Sequence, residues 1–365
     1  MVKGVVSGGL GPLVLAVLGI AGAGGFLFYY SGLYLPWMLG PLFFVMAAKM
    51  KFGKYMQWNS KLRNAGLIML GLQLGSSFTS DSVAQMAKYL PVMFFTTVII
   101  ILFTVLTAIF LMKRMKLTLN TSLLGSFPGG LSQMVVLSEE IEDADESIVA
   151  FMQTLRIILV ISIVPWLVVH VMSAQPSTGA ASAIVHRSTF SFHYSWMHAI
   201  LMAAIFSSII FFGKKINFPL PFMLGPLLTA AAFNLTGFEA PQIPVFWLNL
   251  SQLLIGAHLG YTLKVNNPRL FRKMFGVIFV INVLLIGFCY LVSNSLKNYL
   301  SLPANELFLS LAPGGVAEMS VTALSVHSNV SIVTSFHLFR ILFILFLLSP
   351  VMKFIAGRRK SEELE

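Results

Sequence analysis

Residues 128–134 read Pro-Gly-Gly-Leu-Ser-Gln-Met, and residues 313–319 read Pro-Gly-Gly-Val-Ala-Glu-Met. Proline lacks an N–H and clashes with the preceding helical turn, and the two glycines free the backbone to turn. Because each stretch lies within an apolar segment, it predicts a helix broken at membrane depth. Such a break is tolerated there only against protein or a water-filled cavity. A packing kink in a helix bundle is the alternative.

The apolar runs around these stretches indicate a polytopic, all-helical membrane protein. The chain has 365 residues, of which 57% are hydrophobic and 10% charged, and its mean hydropathy is +0.86. A soluble domain would be about 25% charged. Charge-free runs such as 4–48, 89–112 and 274–296 supply the ~20 apolar residues that a helix needs to cross a bilayer. This composition excludes an ordinary soluble enzyme and a disordered chain.

The other bulk properties carry less information. The net charge of +11 fits a membrane protein that gathers Lys and Arg in its cytoplasmic loops. A single cysteine, Cys289, allows no internal disulfide and no cysteine-based metal site. Residues 3–29 resemble a signal peptide, but the duplication described next requires them as the first membrane span.

A tandem duplication organises the whole chain, because several motifs return at one constant offset. Residues 36–41, Pro-Trp-Met-Leu-Gly-Pro, return as Pro-Phe-Met-Leu-Gly-Pro at 221–226. Residues 71–75, Gly-Leu-Gln-Leu-Gly, return as Gly-Ala-His-Leu-Gly at 256–260. We therefore predict four parts: a first membrane repeat (1–170), a linker (171–194), a second membrane repeat (195–357) and a polar tail (358–365).

The charges of the loops predict that the two repeats have inverted topology. The basic loops of the first repeat are 49–63 and 113–116, whereas those of the second are 214–215 and 264–273, at non-equivalent positions. Under the positive-inside rule, this exchange is expected of an inverted pair. Each repeat is then five transmembrane helices plus one re-entrant or broken Pro-Gly-Gly segment. The charge count favours the re-entrant form, with both termini cytoplasmic in a bacterial inner (plasma) membrane.

Glu318 is a candidate ion-coupling residue, because a carboxylate within an apolar segment is costly and usually functional. The alternative is a structural ion pair with Arg340. In the first repeat the equivalent residue is Gln133, which can form hydrogen bonds but cannot titrate.

Arg156 and Arg340 lie at matched places in the last span of each repeat. A guanidinium group keeps its charge and presents a planar fork to carboxylate or phosphate. Two interpretations stay open: an anion-binding site facing the Pro-Gly-Gly tips, or structural arginines that cap hairpin carbonyls. Gln153 and His337 precede these arginines by one helical turn and so share their face.

The predicted solute site combines the two tips, the two arginines and polar residues of the third span in each repeat. The third-span residues could instead be satisfied interhelical hydrogen bonds. The predicted substrate-binding residues are Pro128, Gly129, Gly130, Ser132, Gln133, Pro313, Gly314, Gly315, Arg156, Arg340, Gln73, His258, Asn64 and Asn249.

These paired motifs, together with the arginine in each last span, resemble the bacterial AbrB-duplication membrane proteins over essentially the whole chain. Members of that family carry the labels ammonia monooxygenase and AbrB family regulator. The resemblance implies a layout similar to inverted-repeat secondary transporters of anions and sodium. It also implies that a homodimer is a common assembly, and it does not name the solute.

We predict a secondary active transporter of a small anionic solute, coupled to H⁺ or Na⁺ by alternating access. The alternative is a membrane sensor that influences gene expression indirectly. The expected partners are the solute and the lipid bilayer, with no nucleic acid and no cofactor beyond a bound Na⁺. The seven histidines are scattered, whereas a monooxygenase needs a clustered set of metal ligands, so we predict no enzyme activity.

Overall fold

The computed structural model is all-helical in the residues that it describes. The longest helices are α4 (Ser80–Met115), α6 (Glu146–Leu167, continued by a π-helical turn at Val168–Met172) and α10 (Pro268–Leu296). The other helices are α1 (Pro12–Tyr30), α2 (Pro36–Phe52), α3 (Ser60–Ser76), α5 (Leu119–Ser126), α7 (Trp196–Lys215), α8 (Pro221–Leu235), α9 (Val245–Thr262), α11 (Ala304–Leu311), α12 (Val316–Ser325) and α13 (Val330–Phe343). The described residues are 12–33, 35–53, 56–129, 134–135, 137–138, 141, 143–172, 196–216, 220–238, 240, 243–262, 268–300 and 302–344.

Four helices of the described residues are long and apolar enough to cross a membrane: α1, α4, the α6 helix with its π turn, and α10. The outer face of α4 is apolar as well, since Leu90, Phe95, Leu102, Leu106 and Phe110 are each at least half exposed. An exposed apolar stripe of this length marks a membrane-facing surface. These four helices and the exposed apolar face of α4 confirm the prediction of a multi-pass membrane protein.

Polar side chains at loop–helix junctions determine where several helices begin. The side-chain oxygens of Thr79, Thr118, Asp145 and Asn329 each accept a hydrogen bond from a backbone N–H in the first turn of the following helix. These N-caps satisfy donors that the helix itself cannot pair. They also fix the start of α5, which leads into the first Pro-Gly-Gly stretch, and of α6 and α13, which follow the two stretches.

The helices form two bundles, which we name the frame and the hairpin bundle. The frame contains α1, α2, α3, α7, α8 and α9, and the hairpin bundle contains α4, α5, α6 and α10 to α13. Helix α3 connects them, because it packs on α8 and α9 within the frame and also contacts α12 and α13. Helix α3 is therefore a contact through which the two bundles meet.

Close helix packing in the frame depends on glycines at two reciprocal contacts. A Cβ atom on Gly71 of α3 would collide with the backbone carbonyl of Met223 in α8. A Cβ atom on Gly256 of α9 would collide in the same way with the carbonyl of Met38 in α2. Small residues allow this approach between membrane helices. The motifs at 71–75 and 256–260 are therefore packing surfaces of the frame.

Candidate functional site

The second Pro-Gly-Gly segment, residues 303–329, folds as a helical hairpin. Helices α11 and α12 are its arms, and residues 312–315 form the tip between them. At the base, the Asn305 side-chain amide donates to the Ser328 hydroxyl (3.2 Å), and the Asn329 N–H donates to a Glu306 carboxylate oxygen (3.1 Å). The chain therefore enters and leaves this segment at the same end.

The first segment, residues 118–145, closes at its base in the same way. The Thr118 hydroxyl donates to the Asp143 carbonyl (2.5 Å), and the Asp145 N–H donates to the Thr121 hydroxyl (2.9 Å). Its first arm is α5, and the described part of its tip is residues 127–129. Three residues of the predicted site, Gly130, Ser132 and Gln133, lie outside the described residues.

The two hairpins open at opposite ends of α4. The base of the second lies beside the start of α4, because the hydroxyl of Ser331 donates to the carbonyl of Ser77 (2.5 Å). The base of the first, at Thr118, directly follows the other end of α4 at Met115. The tips therefore point towards each other along α4, and Arg156 and Arg340 behind them lie within electrostatic range of one another.

Each arginine clamps the tip of its own hairpin through backbone carbonyls. Arg156 donates through NH1 to the carbonyls of Ser126 (3.2 Å) and Phe127 (2.7 Å), and through NH2 to that of Gly129 (3.3 Å). Gln153 accepts a further hydrogen bond from the same NH2 and donates to the Leu124 carbonyl (2.6 Å). A broken helix leaves carbonyls unpaired, and this clamp pairs them.

The second clamp repeats this arrangement with one substitution. Arg340 donates to the carbonyls of Leu311 (3.1 Å) and Gly314 (3.0 Å). His337 takes the place of Gln153, with Nδ1 2.6 Å from the Arg340 NH2 and Nε2 2.9 Å from the Leu309 carbonyl. Of the two interpretations left open by the sequence, carbonyl capping describes the observed contacts.

One donor of each clamp remains available for a ligand. The Nε atoms of Arg156 and Arg340 are buried and have no hydrogen-bond partner among the described residues. The described contacts of Arg340 include no carboxylate, so an ion pair with Glu318, the structural alternative for that carboxylate, is not observed. The clamps therefore bring two positive charges to the facing tips.

Glu318 is buried in the first turn of α12, with 8% of its surface exposed. Its carboxylate lies against Gly315, since a Cβ atom there would collide with Oε2. It interacts electrostatically with Arg63, a residue of α3 that the sequence places in a basic loop. Only the packing of α3 on α12 reveals this pairing.

The four polar residues predicted for the third spans lie at three separate places. Asn64 and His258 meet through Arg63, which hydrogen bonds to both. Gln73 lies near the other end of α3, where its side chain accepts from the Ile243 N–H (2.9 Å). Asn249 is half-buried on α9, more than two turns before His258.

Fold and site together define a class: multi-pass helical membrane proteins with two facing, arginine-clamped hairpins. The chain belongs to the AbrB family, since the family model described as "Transition state regulatory protein AbrB" matches residues 37–356. It is 25% identical over 373 aligned positions to "Uncharacterized protein YhjN" of Bacillus subtilis (strain 168), covering 95% of this chain and 94% of that protein. It is 24% identical over 320 positions to "Putative regulator AbrB" of Escherichia coli (strain K12), covering 87% and 89%.

Proposed function

We propose that this protein is a secondary active transporter that moves a small anionic solute, coupled to H⁺ or Na⁺ by alternating access. The observation that carries the proposal is the pair of buried arginines, Arg156 and Arg340, behind two facing tips. Two guanidinium groups in a poorly solvated setting repel each other. An anion bound between the tips relieves that repulsion and accepts from the unpartnered Nε donors.

The proposal includes two inverted repeats, each of five transmembrane helices and one re-entrant hairpin. Three observations support this topology. Both hairpins close at their bases, the bases lie at opposite ends of α4, and the contacts of Gly71 and Gly256 are the same contact with the two repeats exchanged. Hairpin arms of 8 and 10 residues are also too short to cross a bilayer alone, which takes ~20.

The hairpin bundle is the proposed carrier, and the frame is the proposed support. Broken segments that meet near the midplane of an inverted-repeat transporter place helix termini and freed backbone groups around the substrate and its coupling ion. Here the arginines use the freed carbonyls, which leaves the facing tips and Glu318 for binding. Alternating access then requires the hairpin bundle to move along α3.

Direct measurement of charge movement tests the proposal. The full chain is reconstituted into liposomes on a solid-supported membrane. Small mono- and dicarboxylates, phosphate and sulfate are applied in turn under a Na⁺ or an H⁺ gradient. We expect a saturable transient current for one class of anion, dependent on one of the two cations. Currents indistinguishable from those of empty liposomes for every anion and cation would contradict the proposal.

A membrane sensor is the second candidate, favoured by the words "regulatory protein" and "regulator" in the descriptions of the family and one relative. A sensor of this architecture would still need the solute site, so its signal would depend on the arginine clamps. Transcription and solute currents, measured in a strain that lacks the gene and is complemented with wild type or Arg340→Lys, distinguish the transporter from the sensor. Altered transcription without any solute current would favour the sensor.

A further inference from the structure

The Glu318 carboxylate lies at the N-terminus of its own helix, and the described hydrogen bonds of the arginines in its own bundle do not include it. Glu318 is the third residue of α12, and its carboxylate lies over Gly315, the N-cap residue. A negative charge in the first turn of a helix is favoured by the unpaired N–H groups there. A buried negative charge still requires a proton or a cation.

Arg63 presents a positive charge whose hydrogen-bond partners are all neutral. Its Nε and NH2 atoms donate to the Asn64 side-chain oxygen (3.3 and 3.2 Å), and NH1 lies 3.4 Å from His258 Nε2. A ring nitrogen that accepts from a guanidinium carries no proton, so His258 is neutral in this contact. These partners orient Arg63 without neutralising it.

The two charged residues belong to the two helices whose contact joins the bundles. Arg63 lies on α3 of the frame, and Glu318 lies on α12 of the hairpin bundle. Each acts electrostatically on the other. Resting on the proposed function, we infer that Arg63 is an internal competitor of the coupling cation. It neutralises Glu318 while the ion site is empty, and Na⁺ or a proton at the carboxylate releases it.

In this competition Arg63 is a positioning residue, because its attraction to Glu318 holds the two bundles together until a cation binds the carboxylate. The remaining helices packed on α12 also carry charged or titratable groups, and each of these groups forms a hydrogen bond with backbone in the hairpin bundle. These groups are Glu306 on α11, Arg156 on α6, and His337 and Arg340 on α13.

The pair of Arg63 and Glu318 has no charged counterpart in the other repeat, and that repeat shows which residue can replace Arg63. At the equivalent positions of the other repeat, Leu248 stands for Arg63 and Gln133 stands for Glu318. Arg63→Leu therefore copies a residue that this fold already accommodates at a matched place. Lys61→Gln is the control for the loss of a charge, since it removes one positive charge from the exposed side of the same helical turn.

A double-mutant cycle tests the pair itself. Thermal unfolding of the full chain in detergent, without Na⁺, is measured for wild type, Arg63→Gln, Glu318→Gln and the double variant. We expect the two single changes to be clearly non-additive, as they are for residues that interact with each other. Additive effects would overturn the inference whatever the protein transports. Arg63→Leu, which copies the residue at the equivalent position, serves if Arg63→Gln does not fold.

Cation titrations of the same proteins test the competition. The melting temperature is followed against Na⁺ at fixed pH and against pH without Na⁺. We expect the midpoint for the stabilising cation to fall about tenfold in Arg63→Gln, a usual size for coupled sites, and to stay unchanged in Lys61→Gln. An unchanged midpoint in Arg63→Gln overturns the competition alone. A cation response that persists in Glu318→Gln overturns the competition and the coupling role of Glu318 together.

Discussion

The two hairpins have the same clamp but different chemistry behind their tips. In the first, α5 carries buried Ser122 and Ser126, whose hydroxyls have no partner among the described residues, and Gln153 completes the clamp. In the second, Leu307 and Leu311 occupy the corresponding places, and the ionisable groups are Glu306, Glu318 and His337. The buried hydroxyls of the second hairpin, on Ser310, Ser320 and Thr322, have hydrogen-bond partners. The first hairpin is therefore distinguished by two unpartnered hydroxyls, and the second by its buried carboxylates.

This difference separates what the fold requires from what the function requires. Both hairpins need an arginine because both have tip carbonyls that a helix cannot pair. Residues found in one hairpin only are not needed to build the turn. Under the proposed function, cation coupling therefore belongs to the second tip, and selection of the solute to the first tip and both clamps.

The largest expected effect is an all-or-none difference in labelling at the two ends of α10. In a Cys289→Ser background, Asn266→Cys precedes this helix and Asn298→Cys follows it. A membrane-impermeant thiol reagent on intact cells should label Asn298→Cys and spare Asn266→Cys until the membrane is opened. The reverse pattern would place the 264–273 loop outside and would remove the inverted arrangement of the hairpins.

The next effect is on folding, and it should be similar in both repeats. Arg340→Leu removes the donors to the Leu311 and Gly314 carbonyls, and Arg156→Leu does the same in the first hairpin. Unpairing buried groups of this kind costs about 3–5 kcal/mol, so we expect a large loss of unfolding free energy. Unfolding in graded denaturant measures it, with exposed Lys297→Leu as the control.

Replacing each arginine with lysine separates the role of its charge from the role of its planar hydrogen-bonding group. Lysine keeps the charge but loses the planar fork, so Arg340→Lys should weaken solute binding more than it lowers expression. A variant with reduced membrane insertion and unchanged solute affinity would show that the clamp serves structure alone.

Much of this site could be predicted from sequence, because its parts repeat. The Pro-Gly-Gly break follows from local backbone chemistry, and the matched arginines follow from their places in the last span of each repeat. Gln153 and His337 were expected on the arginine face from helical spacing, and both contact the arginines. The sequence alone did not determine whether an arginine in a last span faces a solute or a carbonyl.

The contacts between bundles could not be predicted, because they depend on tertiary packing. Arg63 looks like one more basic loop residue, and its link to Glu318 exists only where α3 meets α12. Glu306 looks like a segment edge, yet it is buried and accepts from the Asn329 N–H. Gln73 and Asn64 were predicted to belong to one solute site, but they lie more than two turns apart along α3 at ~1.5 Å per residue and make different contacts.

Glu318→Gln makes the second tip resemble the first and should remove the cation response. A ligand at 100 times its Kd stabilises the folded state by about 2.7 kcal/mol, so this is the size of effect that should disappear. Without added cation, we expect unfolding to change by less than about 1 kcal/mol, because losing the Arg63 contact is offset by losing a buried charge. Melting temperatures against Na⁺ and pH measure both. A wild-type response in Glu318→Gln would contradict the coupling role.

The smallest effect on stability should come from adding one methyl group to the second tip. Gly315 has φ −80° and ψ 160°, a conformation open to any residue, so Gly315→Ala causes no backbone strain. Its Cβ atom would displace the Glu318 carboxylate, which is the flexible end of a long side chain. We expect a loss of about 1 kcal/mol or less together with a clear shift in the cation midpoint.

Gly314→Ala is the matched control, because its Cβ atom would meet Met319 rather than the carboxylate. The first hairpin contains the same contact between Gly129 and Met134, so this glycine position belongs to the shared turn. The two control variants, Gly314→Ala and Gly129→Ala, should lower the melting temperature slightly and leave the cation midpoint where it is in wild type. If Gly315→Ala behaves like these two control variants, the position of the Glu318 carboxylate over the tip has no part in cation binding. The functional difference between the hairpins would then lie in the unpartnered hydroxyls of the first.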